Sequence, residues 1–364
     1  MPLIVDSHQD LAWNILSFGR DYTRSAHETR QIEKGSLTVE RNGDTLLGWP
    51  EYQQGHVAII FATLFSTPAR CAFDWETYFY KNNREADKQY RQQLDVYRRL
   101  TDERPDKFRF ISSASNLDET LATHKKADSA GQGFPVGLLP LMEGADCIRD
   151  LGELEEWWDM GLRLIGPAWA GTRFCGGTNE PGPLTPDGRK LLGAMADPGF
   201  TLDLSHMDEP AVLEALDIYP GHIVATHANC LALMPGDEGN RLLSDRVIHG
   251  ILERDGIIGV VPFNTFLETG WQTGKSDREE IGLGKVADHI DHICQLAGDA
   301  HHAGIGTDFD GGFGVQSTPK EIDTIADLQK LVPLLLSRGY SKEDAAAILG
   351  LNWINILHRS LPAS

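Results

Sequence analysis

Eight short runs of apolar and β-branched residues recur along the chain, and their spacing leaves room for a helix between most of them. Most of the runs are apolar at every position rather than at alternating positions, which is typical of parallel strands buried on both faces. The pattern therefore predicts eight parallel β-strands. They occupy residues 3–8, 56–65, 134–142, 162–169, 200–206, 222–227, 256–263 and 304–308.

Helical patterns lie between most of these predicted strands. Residues 80–100 are rich in Glu, Lys, Arg and Gln, with apolar positions at helical spacing. Asp208 precedes a segment with Pro210 in its first turn, and Ser244 opens another predicted helix. Ser341 begins a sequence that resembles a capping box, ahead of the last apolar segment. Strands and helices thus alternate along the chain.

This alternation predicts a (β/α)₈ TIM barrel, with residues 1–364 forming one domain. The alternative is a doubly wound open sheet, but the chain lacks the early glycine-rich phosphate-binding segment of such folds. Residues 15–55 and 66–80 are too long for simple connections, so we expect them to run over the mouth of the barrel. The second segment carries four aromatic side chains that either pack as a lid or line a pocket: Trp75, Tyr78, Phe79 and Tyr80.

The composition is that of an ordinary globular protein, with 41% hydrophobic residues and a net charge of -20. A surface this acidic repels phosphate backbones, so a nucleic-acid partner is not expected. No apolar run is long enough to span a membrane, and the first residues lack the basic and apolar segments of a signal peptide. Five scattered cysteines without a CxxC motif favour reduced thiols and a cytoplasmic location: Cys71, Cys147, Cys175, Cys230 and Cys294.

Side chains of the kinds that bind metal ions stand at the carboxyl ends of five predicted strands. His8 and Asp10 follow the first strand, and residues two apart in an extended chain point to the same face. In a (β/α)₈ barrel these strand ends meet at the face that holds the active site. A buried histidine, a helix cap or a turn residue would explain any one of them, but the whole set predicts a metal site. The other members are Glu143, His206, His227 and Asp308.

Two imidazoles with a carboxylate suit zinc, and a carboxylate can bridge two ions. Two neighbouring ions can hold a bridging hydroxide and polarise a carbonyl group at the same time. Asp308 is then not required as a ligand, and it can accept the proton of the attacking hydroxide. The remaining groups are enough for two ions per chain: His8, Asp10, Glu143, His206 and His227.

These segments resemble, in the same order, those of the membrane dipeptidase (renal dipeptidase) family of zinc dipeptidases in the amidohydrolase superfamily. The resemblance runs from "DSHQDLAW" to "GLNWINIL", nearly the whole chain. It implies a distorted (β/α)₈ barrel of the metal-dependent hydrolase type that cleaves dipeptides, including those with a D-residue on the carboxyl side. It also implies that His8 and Asp10 bind one zinc ion, that His206 and His227 bind the other, and that Glu143 bridges them.

The resemblance further assigns residues that contact the substrate. Asp308 matches an aspartate that serves as proton shuttle or as anchor for the substrate amine. Arg241, in "NRLLSDRV", matches an arginine that binds the terminal carboxylate of the substrate. Trp169 stands where the family's fourth strand typically ends in a histidine that contacts the scissile carbonyl. Indole donates one hydrogen bond and carries no charge, so we expect Trp169 to affect the choice of substrate more than hydrolysis itself.

Three other functions agree with parts of the pattern. Another metal hydrolase of the superfamily, acting on a different amide or an ester, would use the same ligands. A nuclease of similar barrel type is disfavoured, because such enzymes typically begin with HxH and bind polyanions. A barrel that binds without catalysis conflicts with the presence of all six strand-end groups. We therefore expect a binuclear zinc dipeptidase with a small dipeptide substrate, and the family resemblance adds a homodimer as a candidate assembly.

Overall fold

The eight predicted strands are all present in the structure, a computed structural model that describes residues 1–364. Together with a short ninth strand, Phe108–Phe110, which pairs with Val136–Leu138, they form one parallel sheet, and each overlaps the run of apolar residues that predicts it. The strands are β1 (Ile4–Gln9), β2 (Val57–Leu64), β3 (Val136–Glu143), β4 (Leu164–Gly166), β5 (Thr201–Asp203), β6 (Ile223–Val224), β7 (Ile258–Val260) and β8 (Ala303–Ile305).

Several later strands end earlier than the apolar pattern predicts. β4 stops at Gly166 because Pro167 follows it, and proline has no N–H to donate to a neighbouring strand. The segments after β5 and β8 leave the extended conformation at His206 and Asp308, whose φ angles are 68° and 57°. The apolar runs therefore predict the strands, whereas the polar residues that follow them in the sequence belong to the turns at the carboxyl ends of the strands.

The sheet closes into a distorted (β/α)₈ barrel, as predicted. The strand order is β6-β5-β4-β3-β2-β1-β8-β7, and neighbouring strands are parallel. A single bridge between Ala225 and Ile258 joins the two ends of this order. The distortion lies at this closure, where β6 contributes only two residues to the sheet.

Helices follow most of the strands, and others fill the long connections. The helices are α1 (Leu11–Phe18), α2 (Ala26–Glu33), α3 (Leu37–Asn42), α4 (Trp49–Gly55), α5 (Asn83–Glu103), α6 (Ala114–Ala130), α7 (Glu153–Asp159), α8 (Pro186–Ala196), α9 (Glu209–Ile218), α10 (Asp245–Glu253), α11 (Leu283–Ala297), α12 (Leu331–Ser337), α13 (Lys342–Ala346) and α14 (Asn352–Ser360). Short 3₁₀ segments and one π-helical turn, Ala347–Leu351, complete the connections.

Local capping residues account for several helix starts. Asn82 accepts hydrogen bonds from two backbone N–H groups of the first turn of α5, so this helix begins at Asn83 rather than at residue 80. Ser244 caps α10, and Ser341 forms the predicted capping box with Asp344 before α13. None of the helices combines the length and the apolar character needed to cross a membrane.

The connection from β1 to β2 contains α1 to α4 and is tied to the far end of the chain by Asp310. One carboxylate oxygen of Asp310 accepts from the Tyr22 hydroxyl at 2.9 Å and the Thr45 hydroxyl at 2.5 Å. Arg20 Nη1 lies 2.9 Å from this same oxygen, and the other oxygen accepts from the backbone N–H of Leu46 at 3.0 Å. We call these five residues the Asp310 cluster. It fixes the β1–β2 connection to the segment after β8.

The connection after β2 is held by a different set of contacts. Its two ends pair as short strands, Thr67–Pro68 with Phe79–Tyr80. Arg70 forms an ion pair with Glu180 at 2.8 Å, on a hairpin that follows β4. This hairpin consists of Cys175–Gly177 and Glu180–Leu184. Two insertions, one after β2 and one after β4, thus meet at the same face of the barrel.

Candidate active site

The barrel brings all six strand-end groups to one face. His8 lies within β1 and Asp10 directly after it, while Glu143 is the last residue of β3. The other three follow β5, β6 and β8 by three residues each: His206, His227 and Asp308. Each of the six residues lies near or just beyond the carboxyl end of a strand, on the face of the barrel where all these strands end. The predicted residues therefore form one cluster.

Glu143 stands at the centre of this cluster. Its Oε1 atom lies 3.0 Å from Nε2 of His206 and 3.2 Å from Nε2 of His227. Its Oε2 atom lies 3.6 Å from Nε2 of His8. A single carboxylate therefore faces three imidazole rings, with one oxygen directed to each side. This is the arrangement in which a carboxylate can serve two metal ions.

His8 faces two further carboxylates on the other side. Its Nε2 atom lies 3.8 Å from Oδ2 of Asp10 and 3.9 Å from Oδ1 of Asp308. Both ring nitrogens of His8 and Oδ1 of Asp10 are buried without a hydrogen-bond partner. Buried polar atoms are nearly always hydrogen-bonded in proteins, so these unpaired atoms point to a missing partner.

A metal ion fits as that partner. Potential ligand atoms of His8, Glu143 and His227 lie within 4.8 Å of one another, as do those of His8, Asp10 and Asp308. Nε2 of His206 lies only 2.9 Å from Nε2 of His227, and both atoms are directed at Glu143. Neutral imidazole nitrogens and carboxylate oxygens are ligands that zinc accepts. Asp308 is close enough to His8 to act as a ligand as well as a base.

The electrostatics of the cluster also favour a cation. Burial raises the pKa of Asp10 to about 7, and it raises the pKa of Asp308 well above its ordinary value. Burial opposes the charge of Glu143 too, but His8 and His206 hold the pKa of this carboxyl well below its usual range. Three carboxyl groups thus share a desolvated space. A bound divalent cation would favour the ionised form of each of them.

Two threonine hydroxyls orient His206 and His227, and no pattern in the sequence points to them. Thr226 Oγ1 lies 2.9 Å from Nδ1 of His227 and 2.5 Å from a carboxylate oxygen of Asp203, to which it donates. With its own hydrogen committed to Asp203, Thr226 accepts from Nδ1–H of His227, which leaves Nε2 free to bind a metal. Thr178 Oγ1 lies 2.8 Å from Nδ1 of His206. Thr226 directly precedes His227, whereas Thr178 comes from a distant hairpin turn.

Arg241 lies beside the same cluster with much of its hydrogen-bonding capacity unused. Its Nη2 atom donates to the backbone carbonyl of His227 at 2.6 Å, whereas Nε and Nη1 are buried and have no partner. Burial lowers the pKa of its guanidinium, and the charges of Asp308 and Glu143 partly offset this effect. A buried guanidinium with free N–H groups is suited to a carboxylate.

Trp169 lines a cavity that opens directly above the ligand cluster. The cavity has about 650 Å³ of empty space, counting its open mouth, and its lining includes Asp10, Glu143, His206 and Asp308. The ring of Trp169 lies 6.2 Å from the ring of His206, measured between centroids. The indole therefore borders the reaction space at the position given by the sequence.

The aromatic residues of the segment after β2 do not all have the same role: one lines the cavity and another packs in the interior. Trp75 lines the cavity. Tyr80 is buried, and its hydroxyl donates to Asp146 at 2.6 Å, so it packs rather than contacts substrate. Other residues that line the cavity carry no signal in the sequence, and two of them, Arg41 and Phe73, lie in the long connections. Only the folding of the long connections brings them there.

Comparisons with known proteins agree with this geometry. A family model described as "Membrane dipeptidase (Peptidase family M19)" matches residues 1–361. A protein of Klebsiella pneumoniae named "Uncharacterized protein in pqqA 5'region" is 30% identical over 280 residues, or 73% of this chain and 94% of that protein. Dipeptidase verJ of Clonostachys rogersoniana is 26% identical over an alignment of 369 positions, which covers 98% of this chain and 84% of that protein.

The fold is also similar to that of a solved structure. A metallo peptidase from Rhodobacter sphaeroides, crystallised with a phosphinate mimic of the dipeptide L-Ala-D-Ala, superposes with a TM-score of 0.77. The two sequences are 23% identical, and the match covers 99% of each chain. At this level of identity the similarity supports the barrel architecture.

Proposed function

From the premise that this chain belongs to the membrane dipeptidase family, peptidase family M19, we propose that it hydrolyses dipeptides with two zinc ions. Membership makes the chain a metallo-dipeptidase, which is a hydrolase of peptide bonds. The number of ions, their identity and the roles of individual residues belong to the proposal. One observation carries it, namely the central position of Glu143 between the imidazoles of His8, His206 and His227.

Five residues would hold the two ions. His8 and Asp10 would bind one ion, His206 and His227 the other, and Glu143 would contribute one oxygen to each. Two bound ions supply an activated water molecule and a Lewis acid for the peptide carbonyl. The three imidazoles in the set favour zinc over magnesium or calcium, which prefer oxygen ligands.

Asp308 is proposed to handle the proton in this reaction. Peptide hydrolysis requires a base for the attacking water and an acid for the departing amine. Asp308 borders the cavity, and its Oδ1 lies 3.9 Å from the proposed ligand His8. A carboxylate in that place can accept the proton from water and then deliver it to the amine nitrogen. Its alternative role is to anchor the amino group of the substrate.

Arg241 is proposed to hold the carboxylate at the end of the dipeptide. The unpaired Nε and Nη1 atoms provide two N–H donors for a bidentate pair with a carboxylate. Binding of the terminal carboxylate at Arg241 would place the scissile carbonyl over the ligand cluster. With the substrate amino group anchored at Asp308 as well, it would also explain a preference for dipeptides, because a longer peptide could not place both of its termini at these two anchors.

The decisive experiment combines metal analysis with a substrate screen. Protein purified without chelator should contain about two equivalents of zinc, and it should release amino acids from L,L and L,D dipeptides in a ninhydrin assay. N-acyl amino acids and simple esters test the alternative, another hydrolase of the amidohydrolase superfamily. Hydrolysis of those compounds without any dipeptide cleavage would contradict the proposed substrate. A metal-free preparation with full activity would contradict the metal site.

A further inference from the structure

The cavity over the ligand cluster has a wall of aromatic rings for which the proposed chemistry has no use. Trp13, Phe65 and Trp169 form its inner part, with centroid distances of 6.2 Å between Trp13 and Phe65 and 5.1 Å between Phe65 and Trp169. Phe73 and Trp75 form its outer part, stacked with centroids 5.8 Å apart and ring planes 6° apart. We call these five side chains the aromatic wall. It extends from the metal ligands to solvent.

The outer part of the wall is held in place although it is open to water. Phe73 is 66% exposed, which is unusual for a large apolar side chain stacked on a second ring at the mouth of a cavity. Its backbone N–H donates to Glu76 at 3.1 Å, and the same carboxylate accepts from the hydroxyl of Thr67 at 3.3 Å. Glu76 is therefore occupied in shaping the loop. The loop presents an apolar surface toward the cavity.

The topology places this wall opposite the proposed carboxylate anchor. Phe65, Phe73 and Trp75 follow β2, whereas Arg241 follows β6. β2 and β6 are four positions apart in the order of the barrel, so their connections approach the mouth from opposite sides. The ligand cluster lies between them. A dipeptide with its carboxylate at Arg241 therefore directs its amino-side residue toward the aromatic wall.

One charged group on this side offers a competing interpretation. The guanidinium of Arg41 lies over the ring of Trp75, 5.1 Å from its centroid, and no carboxylate lies within 4.0 Å of it in the structure. An acidic side chain of a substrate could pair with Arg41. However, the guanidinium is already stacked on an aromatic face, and the surface around it is built from five rings. The apolar surface is the larger feature of this side of the cavity.

We propose that the aromatic wall binds the side chain of the amino-side residue and selects substrates in which that side chain is large and apolar. The inference rests on the proposed function, because the orientation of the dipeptide follows from the roles given to Arg241 and the ligand cluster. Burial of a phenylalanine or leucine side chain instead of a methyl group is worth about 10- to 100-fold in kcat/KM. Aromatic residues on the amino side gain further from ring contacts with the wall.

The test compares Ala-Gly, Leu-Gly, Phe-Gly and Glu-Gly as substrates of the zinc-loaded enzyme. The expected order of kcat/KM is Phe-Gly and Leu-Gly above Ala-Gly by about 10-fold or more, with Glu-Gly no better than Ala-Gly. Phe73→Ala and Trp75→Ala should each bring the ratio of Phe-Gly to Ala-Gly closer to one. Ile218→Ala removes another exposed apolar side chain, on α9 and outside the cavity lining, and should leave this ratio unchanged.

Binding of non-hydrolysable phosphinate analogues separates this inference from the proposed function. Calorimetry should find that the phenylalanine analogue binds more tightly than the alanine analogue, and that Trp75→Ala reduces the difference. This result would support the aromatic wall even if no dipeptide were cleaved, which would contradict only the proposed function. Equal binding and equal kcat/KM for the two side chains would overturn the inference. A preference for Glu-Gly that disappears in Arg41→Gln would overturn it in favour of acidic substrates.

Discussion

Asp308 and Asp310 lie two residues apart in "GTDFDGG", and both have left-handed backbone conformations, with φ angles of 57° and 64°. They nevertheless belong to two opposite kinds of polar cluster. Both carboxylate oxygens of Asp310 accept hydrogen bonds within the Asp310 cluster, and Arg20 balances its charge. The only basic nitrogen within 4 Å of the Asp308 carboxylate is Nε2 of His8, at 3.9 Å.

The difference distinguishes a structural cluster from a functional one. Every donor of the Asp310 cluster has an acceptor, so the cluster is complete without any ligand. The cluster around Glu143 instead contains three carboxyl groups and the unpaired ring nitrogens of His8. Such a cluster is stable only when something else supplies positive charge and accepts the lone pairs. What distinguishes the functional cluster from the structural one is therefore its unpaired imidazole and carboxylate atoms, rather than buried charge as such.

Glu143→Gln should give the largest effect of any substitution that tests this comparison. A neutral amide shared between two cations is a poor replacement for a carboxylate. Even partners outside the ligand sphere are worth about 10- to 100-fold in metal affinity. If Glu143 bridges two ions as proposed, the substitution should therefore lower the affinity for both ions by more than about 100-fold. Metal analysis after dialysis should find less than one equivalent of zinc. Retention of two equivalents would remove Glu143 from the bridging role.

The substitution Asp308→Asn should distinguish a role of Asp308 as catalytic base from a role as metal ligand. The amide keeps the shape of the side chain but cannot accept a proton, so turnover should fall by about 10²–10⁴-fold while the zinc content stays constant. Steady-state kinetics and metal analysis of the same preparation measure both quantities. If zinc is lost together with activity, Asp308 is a ligand of the ion near His8. Unchanged turnover with a raised KM would make it the anchor for the substrate amine.

The substitution Asp310→Asn should have the opposite effect, lowering the stability of the fold while leaving metal binding unchanged. The substitution removes the charge that faces Arg20, and breaking a buried ion pair costs roughly 3 kcal/mol of the free energy of unfolding. Arg20 keeps its second partner, Glu33, at 3.0 Å, so the protein should still fold. Denaturant unfolding should show the loss, whereas the zinc content of the folded enzyme should match the parent. A loss of zinc without a loss of stability would contradict the separation of the two clusters.

The sequence is informative about the ligand cluster because each member is fixed by the end of a strand. Apolar runs locate β1, β3, β5, β6 and β8, and a parallel barrel sends all their carboxyl ends to one face. The sequence alone does not show which aspartate of "GTDFDGG" belongs to a structural cluster. The partners of Asp310 come from residues 20–46, and their approach depends on how α1 to α4 fold back over the barrel.

The mouth of the cavity was even less predictable. Thr178 contacts His206 only because a hairpin after β4 folds over β5, and Arg41 reaches the cavity from the end of α3. No periodicity in the sequence specifies such contacts, since they depend on long connections rather than on regular elements. Strands β4 to β8 are also shorter than the apolar runs that predict them, because apolar residues continue past the last hydrogen bond between neighbouring strands.

Arg241→Lys should have a smaller effect than the changes at the aspartates. Lysine keeps the charge but loses the two parallel N–H groups that match a carboxylate, so KM for free dipeptides should rise about 10-fold with little change in kcat. The preference for free over amidated dipeptides should decline in parallel. Parallel kinetics on both substrate forms provide the measurement. Equal cleavage of both forms by the parent enzyme would remove Arg241 from carboxylate binding.

Tyr22→Phe should give the smallest effect and is the most direct test that the Asp310 cluster is structural. It deletes one of several donors to Asp310 without adding a charge or a large cavity, so the free energy of unfolding should fall by about 1 kcal/mol. Combining it with Asp310→Asn gives a double-mutant cycle, in which the second loss should be smaller because the hydrogen-bond acceptor has already been altered. Zinc content and kcat should match the parent in Tyr22→Phe. A reduced zinc content in this variant would show that the two clusters are coupled, and the contrast between Asp308 and Asp310 would then fail.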